Sequence, residues 1–507
     1  MDSMTTAQPP LQFIPPAYNP WAYRLVKWIG PLWLRQRIYP ITADGLDTLV
    51  DCYQQFEAGH HRFVLAYRHP TNMDPYCLMY TLTQLVPQAA KARGIRLKKA
   101  PNSHFLYDRG VHLWLGSLGR WMLPSLGGIS IQRGKLDRPA LRASRELFLN
   151  GEWPLAIAPE GAINGHNRIL NPLEPGVAQL SYWCLEDLHK AGRDHEDVVI
   201  LPIGIRYTYH DDLLPPLQDL LSQLEKDCGL PSLPLPNKLE PDKLEPDKLG
   251  PESMREQHLY VRMLRVGDAL LATLETFYRA FYPDVDADEL ATHLEDPRYT
   301  QGIQLPELAE TVKTMRIRLA RLLDVALQVA ERRLQLKCQR KRGQGRTWSE
   351  RRHAVEQAGW DRIFRADIPD LETLSPIERG LADRLAQEAD LHLWHMRLAE
   401  TFTGIIGQTV DLRPPQERLV ETTLHLWEVV SRIKGEDPLG RRTPHLGRKS
   451  AHLTIGDPIS VSSRWPEYQS NRRQAMSDLL ADVQRGLEKT LRSEQQAEVE
   501  GVAKAMV

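Results

Sequence analysis

Between residues 38 and 207, the apolar positions of the chain follow two alternating periods. Short continuous apolar runs such as RFVLAYR, PLAIA and VVILPIGI are typical of strands buried in a parallel sheet. Between these runs, apolar residues recur every three or four positions, which predicts helices. The alternation predicts an α/β fold with a mostly parallel sheet and helices on both faces. We predict helices 45–58, 75–87, 110–123, 137–150 and 176–190, and strands 62–68, 127–132, 154–158 and 198–205.

The pattern changes after Tyr207. Residues 236–252 read PNKLEPDKLEPDKLGPE, and a proline at every fifth position excludes a regular helix or a central strand. From about residue 254 to 435, nearly every segment has helical periodicity. The segment AHLTIGDPISV (451–461) then predicts a strand that ends in a Gly-Asp-Pro turn, and residues 472–491 predict a final amphipathic helix. A large all-helical block is therefore predicted to interrupt one α/β domain.

These changes divide the chain into six predicted segments. They are an N-terminal tail with an amphipathic helix, the first part of the α/β domain, a proline-rich linker, the helical insertion, the closing strand and helix of the α/β domain, and a C-terminal tail. Their predicted ranges are, in the same order, 1–37, 38–207, 208–253, 254–449, 450–491 and 492–507.

Three stretches leave more than one interpretation open. In 307–336 the apolar residues follow heptad spacing, which predicts either a helical hairpin within the chain or a homodimer through the insertion. The basic run 337–353 that follows is either a solvated face or a surface for anions. Asn19-Pro20 predicts the start of a helix whose tryptophans and flanking cations suit a membrane interface, or packing on the chain's own domain.

Composition limits the classes of function. A net charge of -1 gives no overall attraction to nucleic acid, so any electrostatic recognition is local. The five cysteines include no C-x-x-C pair, so we expect neither a disulfide framework nor a zinc site, and a reducing compartment fits. We find no secretory signal and no apolar run that approaches the ~20 residues of a spanning helix. A cytoplasmic protein is expected.

The stretch HPTNMD offers the candidate chemistry. His69 directly follows a predicted strand and Asp74 directly precedes a predicted helix, which places both at the carboxyl end of a sheet strand. A nearby carboxylate can fix the tautomer of a histidine base, although Asp74 before a proline is also a natural helix cap. The spacing itself is weak evidence, because it recurs at His189/Asp194 and His452/Asp457.

Four motifs in order resemble those of the PlsC-like glycerolipid acyltransferase family, which includes lysophosphatidate and glycerol-phosphate acyltransferases. HPTNMD is similar to the first motif, and three more blocks follow at plausible strand ends. LEPGVA also fits the stretch after the third motif, and GDPISV resembles the closing strand. The three further motifs are GGISIQR (Gly127 to Arg133), APEGAIN (Ala158 to Asn164) and ILPIGI (Ile200 to Ile205).

The resemblance implies transfer of a fatty acyl group from acyl-CoA or acyl-ACP to a glycerolipid hydroxyl, with lysophosphatidate as the first candidate acceptor. His69 would act as the general base and Asp74 would orient it. The resemblance further implies no cofactor or metal, an acyl carrier protein as partner if acyl-ACP is the donor, and a peripheral position on the cytoplasmic face of a membrane. Substrate-binding residues would be Arg133, Glu160, Gly161 and Pro202.

The sequence departs from the family pattern in two places. Ala162-Ile163 stands where the third motif usually has a hydroxyl residue and then often arginine, so His166, Arg168 or Arg206 would have to meet a phosphate. Arg68 stands where the family often has asparagine. An alternative interpretation is therefore a catalytically degenerate fold that binds a membrane surface or a protein. A hydrolase is disfavoured because the chain has no G-x-S-x-G motif.

Overall fold

A computed structural model describes residues 5–132, 136–163, 165–233, 251–285, 305–336, 347–406, 415–436 and 443–505. The chain divides into two compact units. The sheet unit comprises Leu11–His210 and Arg448–Val507, and the helical unit comprises Met1–Pro10 and Asp211–Gly447. The helical unit thus interrupts the sheet unit in sequence, as the periodicity predicted.

The sheet unit contains the following strands and helices in its described residues. The strands are β1 (Ile38–Asp44), β2 (His61–Tyr67), β3 (His104–Asp108), β4 (Ile129–Ile131), β5 (Leu155–Ile157), β6 (Asp197–Tyr209), β7 (Lys449–Ile455) and β8 (Ile459–Ser460). The helices are α1 (Pro20–Arg35), α2 (Leu46–Glu57), α3 (Asp74–Tyr80), α4 (Val86–Ala92), α5 (Val111–Ser125), α6 (Arg138–Asn150), α7 (Gly176–Lys190), and near the C-terminus two more that are numbered below, Trp465–Ser470 and Arg472–Ala505.

The strands form one mixed but mostly parallel sheet in the order β1-β7-β6-β2-β5-β3-β4, with β8 paired to β6. β6 lies parallel to β2, and β2 lies parallel to β5. β7 runs antiparallel to β6 and parallel to β1. The closing segment of the chain therefore supplies a strand inside the sheet. The α/β prediction with a mostly parallel sheet is confirmed.

Both faces of the sheet are apolar because successive side chains of a strand point to opposite faces. In β2, Phe63, Leu65 and Tyr67 join one buried cluster with residues of α2 to α4, whereas Val64 and Ala66 join another with residues of α6 and α7. The long strand β6 divides its residues between the two clusters in the same way. Helices on both faces explain why these strands read as continuous apolar runs.

Three features of the sheet unit differ from the predictions. β1 was missed because it contains Pro40, which lacks a ladder donor and is tolerated here at an edge of the sheet. β3 was missed because HFLYD is short and has polar ends. The predicted helix 75–87 is α3, a π-helical turn at Thr81–Leu85, and the start of α4.

The helical unit contains helices α8 (Leu214–Asp227), α9 (Pro251–Phe281), α10 (Leu305–Arg333), α11 (Trp348–Ile363), α12 (Pro376–Ile406) and α13 (Gln416–Ile433), and the sheet unit ends with α14 (Trp465–Ser470) and α15 (Arg472–Ala505). The prediction of a linker over 208–253 is wrong for the residues of α8, which form a helix. Its leucines 214, 217, 221 and 224 are buried at helical spacing. The repeats at 236–250 and the basic residues 337–346 lie outside the described residues.

The heptad seam of 307–336 lies on α10. Its residues Leu319, Leu322, Ala326 and Val329 are buried, and α10 packs against α9 and α12 of the same chain. This packing fits the interpretation of a hairpin within the chain. Within the described residues, every helix is too short or too polar to cross a membrane.

Candidate active site

His69 stands just beyond the carboxyl end of β2. The ladder between β2 and β6 continues one residue past the strand, since the backbone N–H of Arg68 donates to the carbonyl of Ile203 at 3.0 Å. The backbone N–H of His69 donates instead to Oε1 of Glu160 at 3.0 Å. The chain thus leaves the sheet at His69, whose side chain is 19% exposed. This is where the predicted strand placed the residue.

Asp74 faces the His69 ring from the first residue of α3. Nδ1 of His69 lies 3.0 Å from Oδ2 of Asp74. The same oxygen accepts the backbone N–H of Thr71 at 2.7 Å, and Oδ1 accepts the Thr71 hydroxyl at 3.3 Å and the Tyr207 hydroxyl. The Asp74 side chain is fully buried. A buried carboxylate requires such hydrogen bonds, because it has lost its hydration.

These contacts fix how the imidazole can act. When Nδ1 carries the proton and donates it to Asp74, the neutral ring keeps an acceptor lone pair on Nε2. Burial, reinforced by the Asp74 charge, raises the pKa of Tyr207 well above its usual value, so its hydroxyl stays a donor. The cluster can therefore remove a proton from a group that approaches Nε2.

Cys77 lies close to this cluster, with Sγ 3.6 Å from the Tyr207 hydroxyl. Burial raises the pKa of the Cys77 thiol to about 12. The thiol is therefore protonated at neutral pH, which makes it a poor nucleophile. Among the described residues, no group of three or more His, Cys, Asp or Glu side chains is arranged to hold a metal ion.

Glu160 and Arg68 form a buried pair behind His69. Both side chains are fully buried, and Nε of Arg68 lies 3.8 Å from Oε1 of Glu160. The other oxygen of Glu160 accepts the backbone N–H of Asn171 at 3.0 Å. The Arg68 guanidinium donates to the backbone carbonyls of His166, Asn167 and Ile169. The pair therefore joins the His69 backbone to the loop that follows β5.

The other three predicted substrate-binding residues are Gly161, Pro202 and Arg133. Gly161 has φ +71°, a left-handed conformation that favours glycine, and its N–H donates to the carbonyl of Ala158 at 3.2 Å. The substrate-binding role of Pro202 stays a prediction. The Pro202 ring packs against Gly486 of α15 on the sheet face opposite Tyr207, and so is not brought to His69. Arg133 lies outside the described residues.

The two other His/Asp pairs with the same spacing have different surroundings from the pair His69/Asp74. His189 does contact Asp194, but at the end of α7, where the Asp194 side chain is 66% exposed. His452 does not meet Asp457: its ring nitrogens contact Thr42 and Asp44, and Asp457 pairs with Lys489. The His69/Asp74 pair differs from both, because the Asp74 carboxylate is buried and His69 stands just beyond the end of a strand.

Sequence reasoning missed Tyr207 as a member of the site, and treated Arg68 only as a departure from the family pattern. A signal for Tyr207 was present, since Leu201, Ile203, Ile205 and Tyr207 alternate along one strand and share one face. No signal in one sequence shows that this hydroxyl meets a carboxylate 133 residues away. That contact depends on the pairing of β6 with β2.

Comparison with known proteins agrees with this geometry. Residues 46–206, about a third of the chain, match the family model described as Acyltransferase. A search of curated proteins and a search of solved structures returned no significant match. The matched range contains His69, Asp74 and Glu160, and ends one residue before Tyr207. Residues 46–206 therefore form an acyltransferase domain of the kind found in PlsC-like glycerolipid acyltransferases.

Proposed function

We propose that this acyltransferase moves a fatty acyl group from a thioester, acyl-CoA or acyl-ACP, to the hydroxyl of a glycerolipid, with lysophosphatidate as the first acceptor to test. The observation that carries the proposal is the cluster of His69, Asp74 and Tyr207 at the carboxyl end of β2, of which His69 and Asp74 lie inside the matched range. Open α/β sheets bind their ligands at this edge.

The reaction uses Nε2 of His69 as a proton carrier. The acceptor hydroxyl gives its proton to Nε2 while its oxygen attacks the thioester carbonyl. The tetrahedral adduct then collapses, the carbon–sulfur bond breaks, and the leaving thiolate takes the proton from Nε2. Asp74 stabilises the imidazolium that exists between the two transfers. The chain thus returns to its starting protonation state.

Arg168 is the residue we propose for contact with a phosphate on the acceptor. Of the two other candidates from the sequence, His166 is buried, whereas Arg206 lies within β6. Arg168 is exposed on the loop whose neighbouring carbonyls Arg68 holds. The N–H of Gly165 donates to the carbonyl of Pro70 at 3.0 Å, so this loop also contacts the His69 segment.

The test of the function is an acyl-transfer assay with the full chain. Labelled acyl-CoA and acyl-ACP are offered with lysophosphatidate, glycerol 3-phosphate and uncharged monoacylglycerol, and products are identified by mass spectrometry. His69→Ala should lower transfer by about 10²-fold or more, because it removes the general base. His189→Ala and His452→Ala are matched controls that should keep most activity. Equal losses at all three positions, or no product from folded wild type, would contradict the proposal and favour a binding module.

The test of the acceptor contact is Arg168→Gln. Loss of one charge-assisted hydrogen bond, about 1.5–3 kcal/mol, should raise KM for phosphorylated acceptors by about tenfold or more. KM for monoacylglycerol should stay unchanged. Arg142→Gln changes an exposed arginine of α6 in the same unit and is the matched control. An equal rise for charged and uncharged acceptors would show that Arg168 supports the fold of the loop instead.

A further inference from the structure

Helix α1 exposes an apolar stripe to solvent. Trp28 is 84% and Trp21 75% exposed, and the remaining members of the stripe are Leu25, Ile29 and Leu32. These positions repeat at helical spacing on one side of α1, while Ala22, Tyr23 and Leu34 are buried on the other side. Single exposed apolar residues are common, but a contiguous stripe with two exposed tryptophans marks an interaction surface.

Helix α5 exposes a second stripe next to the first. Leu118 is 67% and Trp121 52% exposed after a kink at Gly116, and Leu115 is exposed just before the kink. The two helices contact each other. Backbone N–H groups of Ala17 and Asn19 donate to the carbonyls of Pro124 and Ser125 at 3.1 and 2.9 Å, and so tie the start of α1 to the end of α5. The stripes therefore belong to one ordered surface of the sheet unit.

The charged residues of the two helices are all basic. Neither PWAYRLVKWIGPLWLR nor VHLWLGSLGRWMLPS contains an acidic residue, although the whole chain has a net charge of -1. The basic residues Arg24, Lys27, Arg35 and Arg120 accompany the stripes, and the Arg24 guanidinium lies 5.2 Å from the centre of the Trp21 ring. Exposed tryptophan with arginine and lysine suits the headgroup region of a bilayer. Protein interfaces, by contrast, are depleted in lysine.

We propose that α1 and α5 together form a lipid-binding surface that docks the sheet unit on an anionic phospholipid bilayer. Apolar side chains enter the headgroup region, and the four cations face anionic lipids. The surface also adjoins the site. The Trp33 ring of α1 lies 5.2 Å from the ring of Tyr76, which is two residues after Asp74 in α3. Docking through α1 brings the start of α3 near the membrane that carries a glycerolipid acceptor.

The test is flotation of the full chain with vesicles of phosphatidylcholine alone, or of equal parts phosphatidylcholine and phosphatidylglycerol. Trp28→Ser and Leu118→Ser, made singly and together, should each weaken binding, and the double variant by about tenfold or more, because buried apolar area is lost. The matched control is Ile377→Ser with Leu381→Ser, which removes two equally exposed apolar side chains from α12 of the helical unit. The control should bind like wild type.

A second pair of variants tests the electrostatic part. Arg24→Gln and Arg120→Gln should each weaken binding to the anionic vesicles by roughly fivefold at low salt, with little effect on phosphatidylcholine vesicles. A wild-type chain that fails to float, or stripe variants that bind like the control, would overturn the proposal. So would a wild-type dimer that the stripe variants convert to monomer in light scattering, since the stripes would then cover a second copy.

The membrane proposal and the proposed function fail separately. Transfer from acyl-CoA to a short-chain, water-soluble acceptor should be unchanged in Trp28→Ser and Leu118→Ser, because neither residue belongs to the His69 cluster. If the chain floats but transfers no acyl group, the membrane proposal stands and the proposed function is contradicted. A chain that transfers to the soluble acceptor but never floats keeps the enzyme and loses the membrane surface.

Discussion

Asp74 shows how one buried carboxylate organises the candidate site at the scale of single residues. It contacts the His69 ring, both the backbone and the hydroxyl of Thr71, and the hydroxyl of Tyr207. The sequence offered two roles for Asp74, a helix cap and an orienting group for histidine. In the structure its Oδ2 lies 3.0 Å from Nδ1 of His69 and accepts the backbone N–H of Thr71, which belongs to the loop before α3 and not to the helix. The orienting contact is therefore present, whereas the helix-cap interpretation is wrong, because Asp74 is itself the first residue of α3 and no side chain caps that helix.

The first prediction concerns Tyr207→Phe. Loss of a hydroxyl that donates to a charged acceptor should cost about 1.5–3 kcal/mol in the free energy of unfolding. Because Asp74 then holds His69 less firmly, kcat should fall by about tenfold while KM for both substrates stays near wild type. Steady-state kinetics of the purified variant provide the measurement.

The matched control for Tyr207 is Tyr53→Phe. Its buried hydroxyl donates to the backbone carbonyl of Asn102 at 2.7 Å and not to Asp74. This variant should lose about 0.5–1.5 kcal/mol of stability and keep its kcat. If both variants keep kcat, the Tyr207 hydroxyl supports only the fold.

At the scale of elements, the two glycines that flank α2 differ in how closely the closing segment of the chain packs against them. Gly45 precedes α2 with φ +73° and lies against the end of β7, where an added Cβ would stand 2.6 Å from the backbone oxygen of Ile455. Gly59 follows α2 with φ +76°, and an added Cβ there meets nothing within 4 Å. The two glycines share a conformation but differ in their surroundings.

These two glycines give the second prediction. Gly59→Ala should cost about 1–2 kcal/mol in the free energy of unfolding, which is the strain of alanine in left-handed backbone. Gly45→Ala should cost about 1–3 kcal/mol more, because a backbone oxygen cannot move aside without distorting β7. Denaturant unfolding of both variants measures the difference. Equal costs would mean that β7 and α2 separate easily.

Elements also show where sequence patterns suffice. Strands with both faces covered, such as β2 and β6, were predicted within a few residues because they are continuously apolar. β1 at an edge was missed because an edge strand has weaker constraints on its residues, and Pro40 is tolerated there. Helix α8 was missed because its neighbouring proline-rich repeat suggested a linker, although its leucines have helical spacing.

At the scale of the whole molecule, a buried histidine makes stability depend on pH. The side chain of His395 in α12 is buried in the helical unit. Its Nδ1 lies in hydrogen-bonding contact with the Tyr278 hydroxyl, at 2.8 Å. Burial, with smaller effects of His392 and Arg333, lowers the pKa of His395 from 6.5 to about 4. The unfolded chain therefore binds a proton at a higher pH than the folded chain does.

The third prediction follows from the sign of that shift. Because the folded pKa is the lower one, the contribution of His395 is fully present above about pH 6.5 and is lost as pH falls towards about 4, by about 3 kcal/mol in total. His395→Gln should reduce the difference in unfolding free energy between about pH 7.5 and about pH 4.5. Urea unfolding at both values measures it.

The control for His395 is His445→Gln, which changes an exposed histidine of the same unit. It should leave the pH dependence of stability as in wild type. Since each variant is compared with itself at two pH values, a general loss of stability in His395→Gln does not affect the result. An unchanged pH dependence in His395→Gln would contradict the burial argument.

The sequence by itself determined the α/β class, the interrupting helical block, and the placement of His69 and Asp74 at the end of a buried strand. It could do so because periodicity, strand ends and helix starts are local properties of the chain. Only the tertiary structure decided that Tyr207 meets Asp74, that Glu160 pairs with Arg68 behind His69, and that Pro202 faces away from them. These contacts depend on which strands are neighbours and on which sheet face a residue lies, and strand order is fixed by packing of the whole sheet rather than by any local pattern.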